Sequence, residues 1–299
     1  MSERHYVPLD GRGVVRVAGA DARTFLQGLV SNDMERVTAE RAVHAALLTP
    51  QGKYLHDFFV VAEGEDLLLD CEADRAGDLM KRLRIYKLRS RVELADATDS
   101  FAVAACFGDG TASALGLADD AGAAVPFGGG IAYMDPRFAA IGARLLLPRE
   151  AATATLDSAG FAPASREDFD RLRIALGLPD GIRDIEVDKA VLLEYGFDEL
   201  NGVDWEKGCY MGQELTARTK YRGLIKKRLV PVAVDGPLPA SGTPVLLGGD
   251  EVGEVRSGVG AVALALMRLE ALEKAAETNA PLTAGEARLT PEKPAWAAF

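Results

Sequence analysis

Histidine and cysteine are scarce in this chain of 299 residues, with three of each. All three histidines, His5, His44 and His56, fall in the first fifth of the sequence. No histidine stands near Cys209, so neither a zinc site nor a self-contained Cys–His catalytic pair is expected there. The cysteines, Cys71, Cys106 and Cys209, are odd in number and far apart, which argues against a secreted disulfide framework. They also fall short of the four thiolates that a permanently held [4Fe–4S] cluster takes; a shared or transient cluster stays open. The longest apolar run, Ala261 to Met267, is far below the ~20 residues that span a bilayer. The N-terminal stretch Met-Ser-Glu-Arg-His-Tyr-Val-Pro has no apolar segment behind its charges, so no leader peptide is expected and the expected location is cytoplasmic. No internal repeat and no low-complexity tract interrupts the sequence.

What is present is the balance of a folded globular protein: 48% hydrophobic, 26% charged, mean hydropathy +0.03. A chain of this length is read as about two domains and can bury ~75% of its unfolded surface. The net charge is −11, which opposes nucleic acid and anionic membranes as partners. The charge is uneven, however. Between Lys207 and Arg228 seven basic residues face one acid, Glu214. A basic island in an acidic chain points to a site for a specific anion more than to a general polyanion surface.

Along the chain, Val14 to Val17 reads as a strand, followed by a helix capped by Asp21 with Phe25, Leu26, Leu29 and Val30 on one face. Ser31-Asn32-Asp33 and Pro50-Gln51-Gly52 are turns. Tyr54 to Val61 and Asp66 to Asp70 predict a hairpin across Glu63-Gly64-Glu65. On that strand His56 and Asp57 are neighbours, one of which is expected to face solvent. Asp74 to about Leu88 has helical spacing at Leu79, Leu83 and Tyr86, and strands return at Phe101 to Phe107 and Leu145 to Leu147. Ser165 and Asp168 resemble a capping box opening a helix that buries Phe169, Leu172 and Leu176, stopped by Gly177 and Pro179. The chain is then irregular to Gly223. Beyond it, Arg228 to Val234, Thr243 to Leu247, Glu251 to Ser257 and Ala261 to Met267 predict a small antiparallel barrel or sandwich. The domain boundary is accordingly placed between residues 223 and 224, giving domains 1–223 and 224–299. Cys71 and Cys106 read as packing residues.

The densest cluster of unusual residues is Lys207-Gly208-Cys209-Tyr210-Met211-Gly212-Gln213-Glu214, followed by Ala217-Arg218 and Lys220-Tyr221-Arg222-Gly223. Two glycines let backbone approach a ligand. A thiol beside Lys207 and ahead of a helix start at Gln213 has two reasons for a lowered pKa. Gln213, Glu214 and Arg218 add an amide, a carboxylate and a guanidinium within about one helical turn.

The run Lys-Gly-Cys-Tyr-x-Gly-Gln-Glu-x-x-Ala-Arg, from Lys207 to Arg218, resembles the signature of the YgfZ-type folate-binding proteins. Those are relatives of a mitochondrial [4Fe–4S] maturation factor and distant relatives of the glycine-cleavage aminomethyltransferase (T-protein). Similar matches occur at Phe25-Leu26-Gln27-Gly28 with Ser31-Asn32-Asp33, at Leu48 to Lys53, at Tyr86-Lys87-Leu88-Arg89, at Arg173 with Gly177 and Pro179, at Leu193-Glu194, and at Gly253 to Ser257 with Ala263-Leu264-Ala265 and Arg268. They span nearly the whole chain.

The resemblance implies an α+β fold of the three-lobed aminomethyltransferase type. Two mixed α/β lobes would surround a central folate pocket, with a C-terminal antiparallel β-barrel beside them. It implies tetrahydrofolate, or a one-carbon derivative, as cofactor. Glu194 would bind the pterin edge. Lys207, Arg218 and Arg222 are candidates for the anionic glutamate tail, and Gln213 joins the cofactor-binding set. Cys209 is the residue at the centre of the signature. Where the aminomethyltransferase carries paired aspartates this chain has His56-Asp57, which leaves Asp57 as the surviving carboxylate and a second catalytic candidate. The function implied is an accessory factor in iron–sulfur protein maturation, indirectly supporting tRNA modification. Its partners would be folate and iron–sulfur assembly proteins or client apoproteins, without direct contact to nucleic acid or membrane. The alternatives are a folate-dependent aminomethyl (one-carbon) transferase and a non-catalytic protein-binding scaffold.

Overall fold

The computed structural model describes residues 4–299 and divides them into two compact units; Met1 to Glu3, the start of the stretch read for a leader, lie outside the described residues. The first unit takes the chain up to Leu48, then Leu55–Arg166 and Leu200–Met211; the second takes Thr49–Tyr54, Glu167–Glu199 and Gly212–Phe299.

The first unit is built on two sheets. One has five strands in the order Val43–Leu48, Tyr54–Glu63, Asp66–Glu72, Arg12–Ala18 and Glu93–Asp96. The expected hairpin is present, with Glu63 opposite Asp66. Its two-residue loop puts Gly64 at φ +61° while Glu65 stays at negative φ, the requirement of a type II′ turn. Leu67 and Leu69, alternate residues of one strand, enter a core with Val15, Val17, Phe58 and Val60. The helices Ala22–Gln27 and Ala76–Lys87 close this core with Phe25, Leu26, Leu79, Met80 and Leu83. Two expectations need correction here. Asp21 precedes the first helix but makes no cap bond; its carboxylate instead takes the Arg91 backbone N–H and guanidinium. Tyr86 is exposed, because the buried stripe of the second helix runs through Met80 instead.

The other sheet has six strands in the order Ala162–Pro163, His5–Pro8, Phe101–Phe107, Ala143–Pro148, Gly130–Met134 and Ala124–Phe127. Cys106 lies in its core and Cys71 in that of the five-stranded sheet. Burial pushes the Cys71 thiol up to about 12 and raises that of Cys106 as well, so both are packing residues, inert as nucleophiles.

The second unit carries the helix Arg166–Ala175, short helical turns and a closed barrel. The barrel order is Lys227–Asp235, Val262–Arg268, Asp250–Val259, Pro244–Leu247, Leu282–Ala284 and Ala287–Pro291. Four of these strands were legible in the sequence. The last two, and the helix Leu269–Thr278 ahead of them, were not: the helix has no side-chain N-cap, and the strands are only 3 and 5 residues long. Trp296 donates its indole N–H to the Leu176 carbonyl at 2.7 Å, satisfying a carbonyl just beyond the helix Arg166–Ala175. The buried face of that helix also departs from the expected apolar stripe. Alongside Phe169 and Ile174 it buries Asp170 and Arg173, and Arg173 reaches Asp184 at 2.8 Å and Ser257 Oγ at 2.8 Å.

Candidate functional site

Cys209 sits in the segment Leu200–Met211 of the first unit. No helix or strand runs through it, so its course is fixed by tethers. Nearly all of them come from the two N-terminal motifs. Ser31 Oγ donates to the Gly202 carbonyl at 2.6 Å, and the Ser31 carbonyl accepts the Asp204 N–H at 3.0 Å. Asn32 Nδ2 donates to the carbonyls of Asn201 and His44, each at 2.7 Å. Asp204 accepts the backbone N–H groups of Glu206 and Lys207 on one oxygen, and Arg36 on the other. Met211 N–H reaches the Gly28 carbonyl at 3.1 Å. Two sequence stretches some 180 residues apart thus form one structure, and Cys209 stands exposed on it.

Lys207, expected as a candidate for an anionic tail, also holds the fold together. Its ammonium donates to the Gln27 carbonyl at 2.7 Å and the Val30 carbonyl at 2.6 Å. Those oxygens lie at and just beyond the end of the helix Ala22–Gln27, where carbonyls lack helical partners. Burial pulls the amine down to about 8, against the opposing charges of Asp33 and Asp204. With two of its three N–H donors committed in this way, the ammonium is a clasp for the Cys209 loop. Lys207→Met is expected to cost about 1–3 kcal/mol, the desolvation cost of orphaned buried acceptors. A lowered thermal midpoint with a changed rate of Cys209 alkylation by iodoacetamide checks it; an unchanged midpoint and rate would show the other tethers to suffice.

Asp57 and His56, on the strand Tyr54–Glu63, are both buried, contrary to the expectation that one faces solvent. The two side chains leave opposite faces of the strand and each finds a partner. Asp57 Oδ2 lies 3.0 Å from His44 Nε2, and His56 Nε2 lies 2.9 Å from Asp78 Oδ2. Burial lowers the pKa of both imidazoles. A neutral His44 donating to Asp57 holds that carboxylate as an acceptor. Sequence reasoning also missed the charged interior beside it. Asp70, fully buried, binds Arg12, Arg144 and the Tyr133 hydroxyl, while Asp135 binds Arg137. The guanidinium carbons of Arg12, Arg137 and Arg144 stand 5.8, 5.0 and 4.2 Å from the centre of the Phe59 ring, within cation–π range.

The second unit holds the remaining candidates. Glu194 rides on the 3₁₀ turn Leu192–Tyr195, whose other three residues are buried. Arg228 braces this turn from below through the Leu193 carbonyl, and through Asp198 at 3.0 Å. Glu194 itself is half-buried, and among the described residues no hydrogen bond or ion pair engages its carboxyl. Burial raises its pKa, while Lys227, Lys53 and Arg228 pull the other way. It is therefore a desolvated acceptor held among three cations. Lys53 belongs to the turn that contains Gly52, at φ +84°. A Cβ at Gly52 would fall 2.7 Å from the Gly212 carbonyl and 2.6 Å from Leu215 Cβ, so only glycine lets this turn approach the helix Gln213–Tyr221. Arg218 on that helix and Arg222 at its C-cap are four residues apart and line one shallow concave surface with Gln213 and Tyr221. Both arginines are exposed, and among the described residues neither guanidinium has a carboxylate partner. The structure thus places Glu194, Gln213, Arg218 and Arg222 in one unit, and Lys207, Cys209 and Asp57 in the other. No cluster of histidine, cysteine and carboxylate side chains suited to a metal ion occurs among the described residues.

Comparison with known proteins agrees with this architecture. The CAF17 C-terminal beta-barrel domain matches residues 226–299. The glycine cleavage system aminomethyltransferase T from Bartonella henselae superposes with a TM-score of 0.77 over 99% of this chain and 86% of its own, at 16% identity. The expected aminomethyltransferase-like fold is therefore present. The mitochondrial iron–sulfur cluster assembly factor IBA57 of Mus musculus is 35% identical over 291 residues, covering 89% of this chain and 78% of its own. The Homo sapiens protein of the same name is 36% identical with the same coverage. A Dictyostelium discoideum homolog, also named as mitochondrial, is 30% identical over 76% of this chain and 62% of its own. These relatives are named as mitochondrial, which overturns the cytoplasmic location expected from the sequence. The shared length and identity are decisive for kinship: the chain belongs to the IBA57 family of iron–sulfur cluster assembly factors, on an aminomethyltransferase-type fold.

Proposed function

We propose that this protein is a tetrahydrofolate-binding accessory factor in the maturation of [4Fe–4S] proteins, through which it indirectly supports tRNA modification. The observation that carries the folate reading is Glu194, a half-buried carboxyl without a partner among the described residues, held in place by the buried Arg228. A pterin presents adjacent N–H donors along one edge, and a carboxylate is the side chain that accepts both. The free guanidinium groups of Arg218 and Arg222 suit the carboxylates of the glutamate tail, and Gln213 adds an amide on the same helix. Lys207 can add at most its third N–H, since two are already bonded to backbone carbonyls. Tetrahydrofolate, when bound, supplies a carrier for a one-carbon unit. Cys209 is the exposed thiol of the chain, and the proposed role for it is contact with the maturing protein or its cluster as cargo.

Calorimetry with tetrahydrofolate tests the reading. Wild type should bind, and Glu194→Gln should bind about 10- to 100-fold more weakly, the worth of hydrogen bonds to a charged group. Absence of heat with the wild type would leave a folate-free scaffold. In cells lacking the protein, Cys209→Ser should fail to restore [4Fe–4S] enzyme activity while folding normally; full complementation would remove the thiol from the mechanism. Aminomethyl transfer is the competing activity. A buried Asp57 already engaged by His44 speaks against it, and formation of methylene-tetrahydrofolate from an aminomethyl donor would reinstate it.

A further inference from the structure

The motif Tyr86-Lys87-Leu88-Arg89 takes no part in the site described above, yet it forms the most conspicuous corner of the first unit. Between Met80 and Val92 the chain carries six basic residues and no acid, although its net charge is −11. Arg82 pairs with Asp78 and Arg91 with Asp21. Lys81, Arg84, Lys87 and Arg89 have no carboxylate partner among the described residues. Amid these charges Leu88 is 89% exposed and Ile85 64% exposed. Leu88 ends the helix Ala76–Lys87 at φ 44°, ψ −109°, a conformation that costs a side-chain-bearing residue energy and persists where the surroundings or a function require it. A shallow notch beside it is lined by Asp21, Leu88, Arg89 and Ser90. Leucine held out in water by a strained backbone, in a stretch that carries four unpaired cations, is the kind of exposed apolar feature that marks an interaction site.

We propose that this corner docks an acidic protein surface, with Ile85 and Leu88 as apolar anchors and Lys81, Arg84, Lys87 and Arg89 as the cationic rim. Apolar centre with charged rim is the anatomy of a protein interface. A nucleic acid would ask for a stacking array, and Tyr86 is the single aromatic here. A membrane-surface helix would offer its whole apolar face, whereas Leu79, Met80 and Leu83 of this helix are spent on the core. The surface is read from exposure and charge; only the choice of an iron–sulfur protein as probe rests on the function proposed above.

The test titrates the full chain with an acidic plant-type [2Fe–2S] ferredoxin at low ionic strength. Binding is expected, and K81E/R84E/R89E should weaken it by about tenfold or more and flatten its salt dependence. Leu88→Ser should weaken it several-fold with the salt dependence intact. Tetrahydrofolate binding and thermal midpoint should stay at wild-type values in both variants, which separates failure at this surface from failure of the folate site. Ferredoxin binding that the charge reversal leaves unchanged overturns the proposal. So does tighter, reversal-sensitive binding of bulk tRNA, or of phosphatidylcholine vesicles containing one-fifth cardiolipin.

Discussion

Asp70→Ala is expected to destabilise the protein by about 3–5 kcal/mol, the typical cost of removing one partner from a buried ion pair. Asp70 is wholly buried and serves three donors at once. Arg12 Nε lies at 2.6 Å, Arg144 at 2.8 Å and the Tyr133 hydroxyl at 3.0 Å. These come from both sheets of the first unit: Arg12 is on the strand Arg12–Ala18, Arg144 on Ala143–Pro148 and Tyr133 on Gly130–Met134. The two guanidinium groups hold the Asp70 carboxyl below its usual range in spite of its burial, and Asp70 in turn keeps Arg12 and Arg144 charged. Alanine leaves two desolvated cations facing each other across an empty site. Asp70→Asn keeps the volume and one acceptor and should lose less. Urea midpoints followed by circular dichroism distinguish the two. A loss below about 1 kcal/mol for alanine would match a water-exposed pair instead.

That cluster also marks the limit of what the sequence discloses. Elements with local signals were legible: the hairpin through Gly64, the helix carrying Leu79 and Leu83, and four barrel strands separated by glycine and proline turns. Arg12, Asp70 and Arg144 were not, because partners 58 and 74 residues apart read one at a time as ordinary surface charges. The structural role of Lys207 was hidden for the same reason. A lysine in a basic stretch signals an anion site, and only the fold shows two carbonyls 177 and 180 residues away accepting its hydrogen bonds. Ile85 and Leu88 fit a helical pattern on paper, and their exposure depends on which stripe the sheet covers. Tertiary pairing at long range, more than local propensity, decides these cases.

The second large effect concerns acid. His56 is 3% exposed, and burial together with the nearby Arg75 pulls its imidazole down to about 4, although Asp78 favours the proton. His44 is lowered as well, again by burial first. In the unfolded chain both histidines titrate near 6.5. Between about pH 6.5 and 4 the unfolded chain therefore binds protons that the folded chain refuses, and stability falls as pH falls. The full contribution is present above 6.5 and is lost on descending to the folded value. A shift of this size makes the His56 share about 3 kcal/mol. The lowered carboxylates Asp70 and Asp135 act in the same direction but below the ordinary carboxylate range, at more acidic pH. Glu194 acts oppositely: its raised pKa lets the folded chain take a proton first, which favours folding as pH drops towards the usual glutamate value. His56→Asn removes one of these contributions and leaves the rest. Its stability should therefore depend on pH less steeply than wild type across this window, by about 3 kcal/mol end to end. With three histidines in the chain, the imidazole resonances are few enough to assign by substitution. A His56 resonance titrating at or above 6.5 in the folded protein would mean that Asp78 outweighs burial and Arg75, and the pH slope would then change sign at this residue.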